Sequence, residues 1–433
     1  MSNISFLPSG IFVDLYELTM AQSYWKSSMR GEAVFELFVR KLPQNRNFLL
    51  AGGIESLKEY LLNWSFSIED IEYLRSLNMF DNDFLELLSA LHFSGTLWAV
   101  KEGTVVFANE PIVQVKAPII EAQLLETAVI NLVHLETVLL SKCARVVLAA
   151  KDRAVIDFGS RRAQGVDAAL KAAKCSYLAG ALGTSNLLAG KIYGIPVFGT
   201  MAHSYIQAHK SEEEAFRKFL NHYPATVLLI DTYDYEKAVL TVIKLSKELG
   251  ADKIKALRLD SGNLVELSNY VRSMLDKAGL SQIELFCSGG LDEYKIEELL
   301  KAGAPINGFG VGTNMVVSKD APSLDMVYKL VEYDGRGVFK SSAGKETVPG
   351  AKQVFREKRD GKLVKDYVAA WKRNDKELKA QALLTEVDLL KEERLSSVRD
   401  RISEELNTLP EHIAALEKCS IDDIVDFSLL SSN

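Results

Sequence analysis

One pattern recurs from residue 154 to 315: a short apolar segment empties into small or polar residues, and an amphipathic stretch follows. The exits read AVIDFGSR (154 to 161), YLAGALGTS (177 to 185), IPVFGTMAH (195 to 203), TVLLIDTYD (226 to 234), IKALRLDSG (254 to 262), IELFCSGG (283 to 290) and INGFGVGTN (306 to 314). Between them, stretches such as YEKAVLTVIKLSKELG and NLVELSNYVRSMLDKAGL space apolar residues by three and four, the signature of a helix burying one face. Strands that alternate with helices must run parallel, because only a long crossover returns the chain in the same direction. Seven units fall one short of a closed barrel of this class, and the chain has no dinucleotide fingerprint. The fold class is therefore α/β, an irregular or incomplete α/β barrel.

Residues 126–324 are assigned to this barrel. The flanks differ: 1–125 mixes helical stretches such as ESLKEYLLNW with the β-prone FSGTLWAVKEGTVVFANEPIVQVKAP. From 325 to 433, MVYKLVEYDGRGVFK reads as β and KELKAQALLTEVDLLKEERLSSVRDRISEEL as a charged helical tail. The two flanks are expected to form one second α+β domain built from both chain ends. A chain of 433 residues exceeds what one core usually supports, which fits two domains.

With 51 Lys plus Arg against 58 Asp plus Glu, the net charge of −7 argues against a nucleic-acid or anionic-membrane partner. No apolar run approaches a membrane span, and MSNISFLPSGIFVDLYELTM has no leader pattern, so a soluble cytoplasmic protein is expected. Cys143, Cys175, Cys287 and Cys419 stand far apart, without metal-ligand spacing, and read as reduced thiols.

In parallel barrels the carboxyl ends of the strands build the active site, and each exit here carries residues able to do chemistry. His203 follows a Gly-Thr turn, where imidazole can serve as base, metal ligand or phosphoryl acceptor, or simply begin a helix. Arg258 and Asp260 share one face of a strand, either as an internal ion pair or as an anion-binding fork beside an orienting carboxylate. In Asp157-Phe158-Gly159-Ser160-Arg161-Arg162, Phe158 offers a stacking face and Arg161 a cation for a flat anionic ligand. Gly289, Gly290, Gly310, Gly312 and Thr313 lie at the last two exits, where such barrels hold phosphate groups. Asp231 and Asp234 are candidates for a magnesium ion carried by a phosphorylated substrate, or for helix capping. No Walker loop, HExxH or GxSxG is present; Gly344-Lys345 is followed by Glu346.

Seven segments, in order, resemble the nicotinate phosphoribosyltransferase family: FVDLYELTM (12 to 20), FELFVR (35 to 40), DFGSRR (157 to 162), GTSN (183 to 186), GTMAHS (199 to 204), RLDSG (258 to 262) and GFGVGT (308 to 313). The resemblance runs on to Pro349-Gly350-Ala351-Lys352-Gln353. It implies a type II phosphoribosyltransferase-like fold and the joining of nicotinate to 5-phosphoribosyl-1-pyrophosphate, giving nicotinate mononucleotide and pyrophosphate for NAD salvage. It further implies ATP as co-substrate, Mg²⁺ carried with the pyrophosphate substrate, and a homodimer with shared active sites.

Residue by residue, the resemblance makes His203 the phosphorylated histidine. Phe158, with Tyr16 from the partner subunit, sandwiches the pyridine ring. Arg258 lies near the ring's acidic substituent, Asp260 contacts the ribose, and Arg161 and the glycines hold phosphates. Thr200 and Thr313 fall within matched motifs and are taken as substrate-binding. Ser185 stands where the related nicotinamide enzyme has an aspartate; a carboxylate there would repel nicotinate, and serine does not. Nicotinamide or quinolinate phosphoribosyltransferase, and a non-catalytic nucleotide-binding protein of the same fold, remain the alternatives. An aldolase or isomerase would want a Lys or Glu at an exit, and none is present.

Overall fold

The repeating segments form one all-parallel sheet of β1 (Ala154–Asp157), β2 (Gly183–Thr184), β3 (Thr226–Leu229), β4 (Ile254–Leu259), β5 (Glu284–Cys287) and β6 (Gly308–Val311), in the spatial order β2-β1-β6-β5-β4-β3. This computed structural model describes residues 9–342, 347–371, 380–421 and 423–430; Gly344-Lys345-Glu346 lies outside them. The chain divides into two units, Lys142–Asp320 and Met1–Ser141 with Ala321–Asn433. Buried Leu228, Leu229, Leu257, Leu259, Leu285, Phe309 and Val311 make the sheet core of the first unit. Continuous burial of this kind is what a parallel sheet covered on its faces requires.

The expected helices appear at Tyr235–Leu249 and Leu264–Lys277, burying Val239, Val242 and Leu245 in one and Leu267, Val271 and Leu275 in the other. Their starts are fixed locally. Asp234 and Asn263 accept hydrogen bonds from the N–H groups of Lys237 and Glu266 at 3.1 and 3.4 Å, and Asp292 caps a third helix, Glu293–Lys301, through Lys295 N–H at 3.0 Å. Asp234 is thus a helix cap.

The third segment departs from its reading as a buried strand. IPVFG makes a single parallel bridge, Thr184 to Val197, and Val197 is 46 % exposed. Proline at 196 has no N–H to donate, so the ladder there consists of Thr184 N–H to Pro196 O and Phe198 N–H to Thr184 O. The sheet therefore curls without closing: among the described residues, this segment and β3 do not pair, and the barrel is incomplete.

The other unit joins both chain ends. Glu32–Val39 lies between Val113–Pro118 and Met326–Tyr333, antiparallel to both. Asp334 and Gly335, both left-handed (φ 53° and 73°), turn the last of these back into Arg336–Gly337. A second sheet pairs Lys352–Arg359 with Lys362–Ala370. The stretch 376 to 406, which reads as continuous helix, is helical only from Leu395 to Thr408. Residues 376–379 lie outside the described ones, and Gln381–Ala382 and Thr385–Glu386 extend the two sheets. Helix propensity is a weak preference, and two sheet edges with unpaired N–H and C=O groups outweigh it. The helix that remains buries Val398 and Ile402. Its Glu405 takes a 2.8 Å ion pair from Arg356, which also binds Asp366 in the interior.

Candidate active site

Asp157 ends β1 and organises the exits around it. Wholly buried, it accepts from Gly159 N–H at 2.8 Å and from the Thr184 hydroxyl at 2.7 Å, while its carbonyl takes Ser185 N–H at 2.8 Å. Burial raises its pKa, and these two bonds to the carboxylate counter the rise. Its signal in the sequence was only an acid ending an apolar strand, and it received no role there.

The carboxyl ends of the strands surround a cavity of about 640 Å³. Phe158, Arg161, Ser185, Thr200, His203, Arg258, Asp260, Gly289, Gly290, Gly310, Gly312 and Thr313 all line it, joined by Ser160, Arg162, Met201, Ala202, Ser288 and Leu291. Three guanidinium groups face one carboxylate across it, so its field favours an anion.

Arg258 is the most buried of the three guanidinium groups. Its Nη1 donates to Thr200 Oγ1 at 3.2 Å, its buried Nε–H has no hydrogen-bond partner, and among the described residues it has no ion pair. Burial pulls its pKa below the ordinary guanidinium value, against the pull of Asp260 and Asp231. A half-buried cation in this condition is incomplete until an anion arrives.

His203 opens the helix His203–Gln207. Its Nδ1 lies 3.1 Å from Thr232 Oγ1, and its Nε2 lies 3.9 Å from Asp260 Oδ2. Asp260 is fixed in turn: its Oδ1 accepts from the Ser288 hydroxyl, and its N–H donates to Asp231 Oδ2 at 3.1 Å, which also takes the Ser261 hydroxyl at 2.6 Å. Thr232 and Asp231 thus support the pair from behind, a role the sequence pattern did not reveal.

The glycines divide by what a side chain would meet. Gly289 has φ 91°, and a Cβ there would stand 1.9 Å from the Asp260 carbonyl oxygen, so two exits touch backbone to backbone. At Gly310 a Cβ would strike the Phe158 ring at 2.5 Å; this glycine seats the aromatic that packs on Phe286 at 5.9 Å between centroids.

Tyr16 is not among the lining residues. It belongs to the other unit, is 47 % exposed, and borders a separate cavity of about 340 Å³ with Asp14, Glu126, Thr127 and His134. Burial and the carboxylates Glu126 and Glu17 raise its phenol pKa. Among the described residues no group of three or more His, Cys, Asp or Glu could hold a metal ion by itself, and no helix is long and apolar enough to cross a membrane.

Comparison with known proteins agrees over most of the chain. Residues 11–134 match the model of the nicotinate phosphoribosyltransferase N-terminal domain, and 154–367 that of the nicotinate phosphoribosyltransferase family. A nicotinate phosphoribosyltransferase of Mycobacterium tuberculosis is 52 % identical over 416 residues, covering 94 % of this chain and 89 % of that protein. One from Bacillus subtilis is 40 % identical over 356 residues, covering 80 % and 72 %. The crystal structure of human nicotinic acid phosphoribosyltransferase superposes with a TM-score of 0.83 at 26 % identity, covering 96 % of this chain and 98 % of that one.

Proposed function

This chain belongs to the nicotinate phosphoribosyltransferase family, and we propose that it joins nicotinate to 5-phosphoribosyl-1-pyrophosphate in a reaction coupled to ATP hydrolysis through a phosphohistidine at His203. The observation that carries the reading is Arg258, a half-buried guanidinium with an unpartnered Nε–H and no ion pair among the described residues, lining the same cavity as Phe158. A pyridine ring stacked on Phe158 presents its carboxylate to such a cation, and Ser185 adds no opposing charge.

The ring nitrogen of nicotinate already carries its lone pair. It attacks the anomeric carbon of the ribosyl donor as the bond to pyrophosphate breaks, and no proton needs removing. The protein's work is orientation and stabilisation of developing charge. Asp260, held by Ser288 and Asp231, is suited to accept a ribose hydroxyl. Arg161, Arg162 and the glycine-rich exits face the phosphates.

For the coupled step, the tautomer that donates Nδ1–H to Thr232 Oγ1, 3.1 Å away, leaves the Nε2 lone pair free to attack the γ-phosphorus of ATP, releasing ADP; water later returns the phosphoryl group as phosphate. Mg²⁺ ordinarily binds through one or two carboxylates plus substrate phosphates. Asp260 and Asp231, whose Oδ1 is unpartnered, fit that habit, and the ion would supply charge neutralisation of the leaving pyrophosphate. We further propose a cytoplasmic homodimer of NAD salvage in which the partner's Tyr16 covers the pyridine ring; the exposure of Tyr16 supports this.

The phosphohistidine is tested by incubating the protein with γ-labelled ATP and Mg²⁺. An acid-labile, base-stable label that is absent from His203→Ala supports the proposal. An equally labelled variant removes His203 from the reaction.

A further inference from the structure

The last two exits both reach the cavity, yet strand pairing does not hold them at a fixed separation. Between β5 and β6 the register ends at Phe286 with Gly308 and Cys287 with Phe309, below the segments that line the cavity. Above it, Gly289 and Gly290 are both left-handed, at φ 91° and 63°, in a segment whose backbone is costly to order. Glu293 anchors the far side of this segment through the buried cations Lys142 and Arg145.

One side chain spans the gap. Asn314, next to Thr313, directs its Nδ2 at Gly290 O (3.0 Å), Leu291 O (3.2 Å) and Asp292 Oδ2 (3.5 Å). With the two carbonyls drawn towards Asn314, the N–H groups of Gly289, Gly290 and Gly312 find no acceptor among the described residues. They are donors available to a ligand.

We propose that Asn314 is a positioning residue for the phosphoribosyl donor: its carboxamide ties the two glycine-rich exits so that their backbone N–H groups converge on the oxygens of one phosphate or pyrophosphate group. This rests on the phosphoribosyltransferase reading, and it concerns only how the phosphates are held. The carboxamide touches no reacting atom, so its loss weakens donor binding and leaves the chemistry of a bound donor intact. The isosteric Asn314→Asp removes both donors and sets a carboxylate against two carbonyls and Asp292.

Three variants and two ligands test it. In Asn314→Ala the KM for the phosphoribosyl donor is expected to rise about tenfold, one hydrogen bond's equivalent, and further in Asn314→Asp. Asn314→Gln, which restores the N–H donors, is expected to recover most of the loss, with kcat and the affinity for nicotinate within threefold of the wild type throughout. Titration with inorganic pyrophosphate reads the same order without turnover. An inactive wild type that binds pyrophosphate would therefore fail the phosphoribosyltransferase reading while leaving the clamp measurable. The proposal is overturned if Asn314→Ala binds pyrophosphate as the wild type does, if the wild type does not bind it, or if nicotinate affinity and melting temperature fall together in all three variants.

Discussion

Replacing Arg258 by Met separates what this residue does for the ligand from what it does for the fold. Arg258 is half-buried in the cavity wall, and Met keeps most of the stem's apolar length while removing the charge. A cation and a carboxylate about 4 Å apart attract by about 4 kcal/mol at the effective dielectric of partly buried protein sites. Desolvation offsets part of this, and truncating one partner of a buried, hydrogen-bonded charge pair costs about 2–5 kcal/mol. A loss of about 2–4 kcal/mol, roughly 30- to 900-fold in the dissociation constant for nicotinate, is therefore expected. Because Arg258 has an unsatisfied Nε–H and no ion pair among the described residues, the unliganded variant should be no less stable than the wild type, and should melt at the same temperature or higher. Calorimetric titration with nicotinate, and separately with the uncharged nicotinamide, reads the first effect; thermal unfolding without ligand reads the second. A nicotinate affinity within threefold of the wild type, or a variant that weakens both ligands equally, would refute the pairing of Arg258 with the carboxylate.

Three further substitutions follow from the geometry. Ser185→Asp places a carboxylate in the cavity and is expected to lower kcat/KM for nicotinate by at least tenfold, measured beside Ser185→Asn to separate charge from size. Gly289→Ala puts a methyl 1.9 Å from the Asp260 carbonyl at φ 91°, so the two exits must part; a fall of several degrees in melting temperature is expected, whereas Gly262→Ala, left-handed but with nothing within 4 Å, loses only about 1–2 kcal/mol. Glu17 is fully buried, and burial pushes its pKa up from 4.5 to about 7, with the Thr127 hydroxyl pulling the other way. The folded state then holds a proton the unfolded state releases, so its contribution is fully present below pH 4.5 and lost as the pH rises through 7, up to about 3 kcal/mol. Glu17→Gln should flatten that decline in unfolding free energy; parallel curves for the two proteins would show that Glu17 does not carry it.

The parallel architecture was legible because its helices announce themselves by apolar spacing in YEKAVLTVIKLSKELG and, at one of them, by the candidate cap Asp234. The unclosed edge was less so: an apolar IPVFG reads as interior, and only Pro196, which cannot donate, hints that it ends the sheet. The segment 381 to 394 misleads for a related reason, since its helical composition carries no record of the sheet edges it meets. Within the cavity, residues with distinctive chemistry at strand exits could be read directly, His203, Arg258 and Phe158 among them. Asp157, Thr232 and Asn314 could not, because what makes each of them matter is a partner 27 residues away for Asp157, 29 for Thr232 and 24 for Asn314. Gly310 carried a further lesson: a glycine in a Gly-rich exit suggests phosphate, yet its missing side chain makes room for the Phe158 ring.

The most direct measurement is mononucleotide formation by the purified protein from phosphoribosyl pyrophosphate and Mg²⁺, with nicotinate or nicotinamide, each with and without ATP. The account predicts product from nicotinate, increased by ATP, and little or none from nicotinamide. Product from nicotinamide in preference to nicotinate would contradict the roles given to Arg258 and Ser185, and no product from either would contradict the proposed reaction itself.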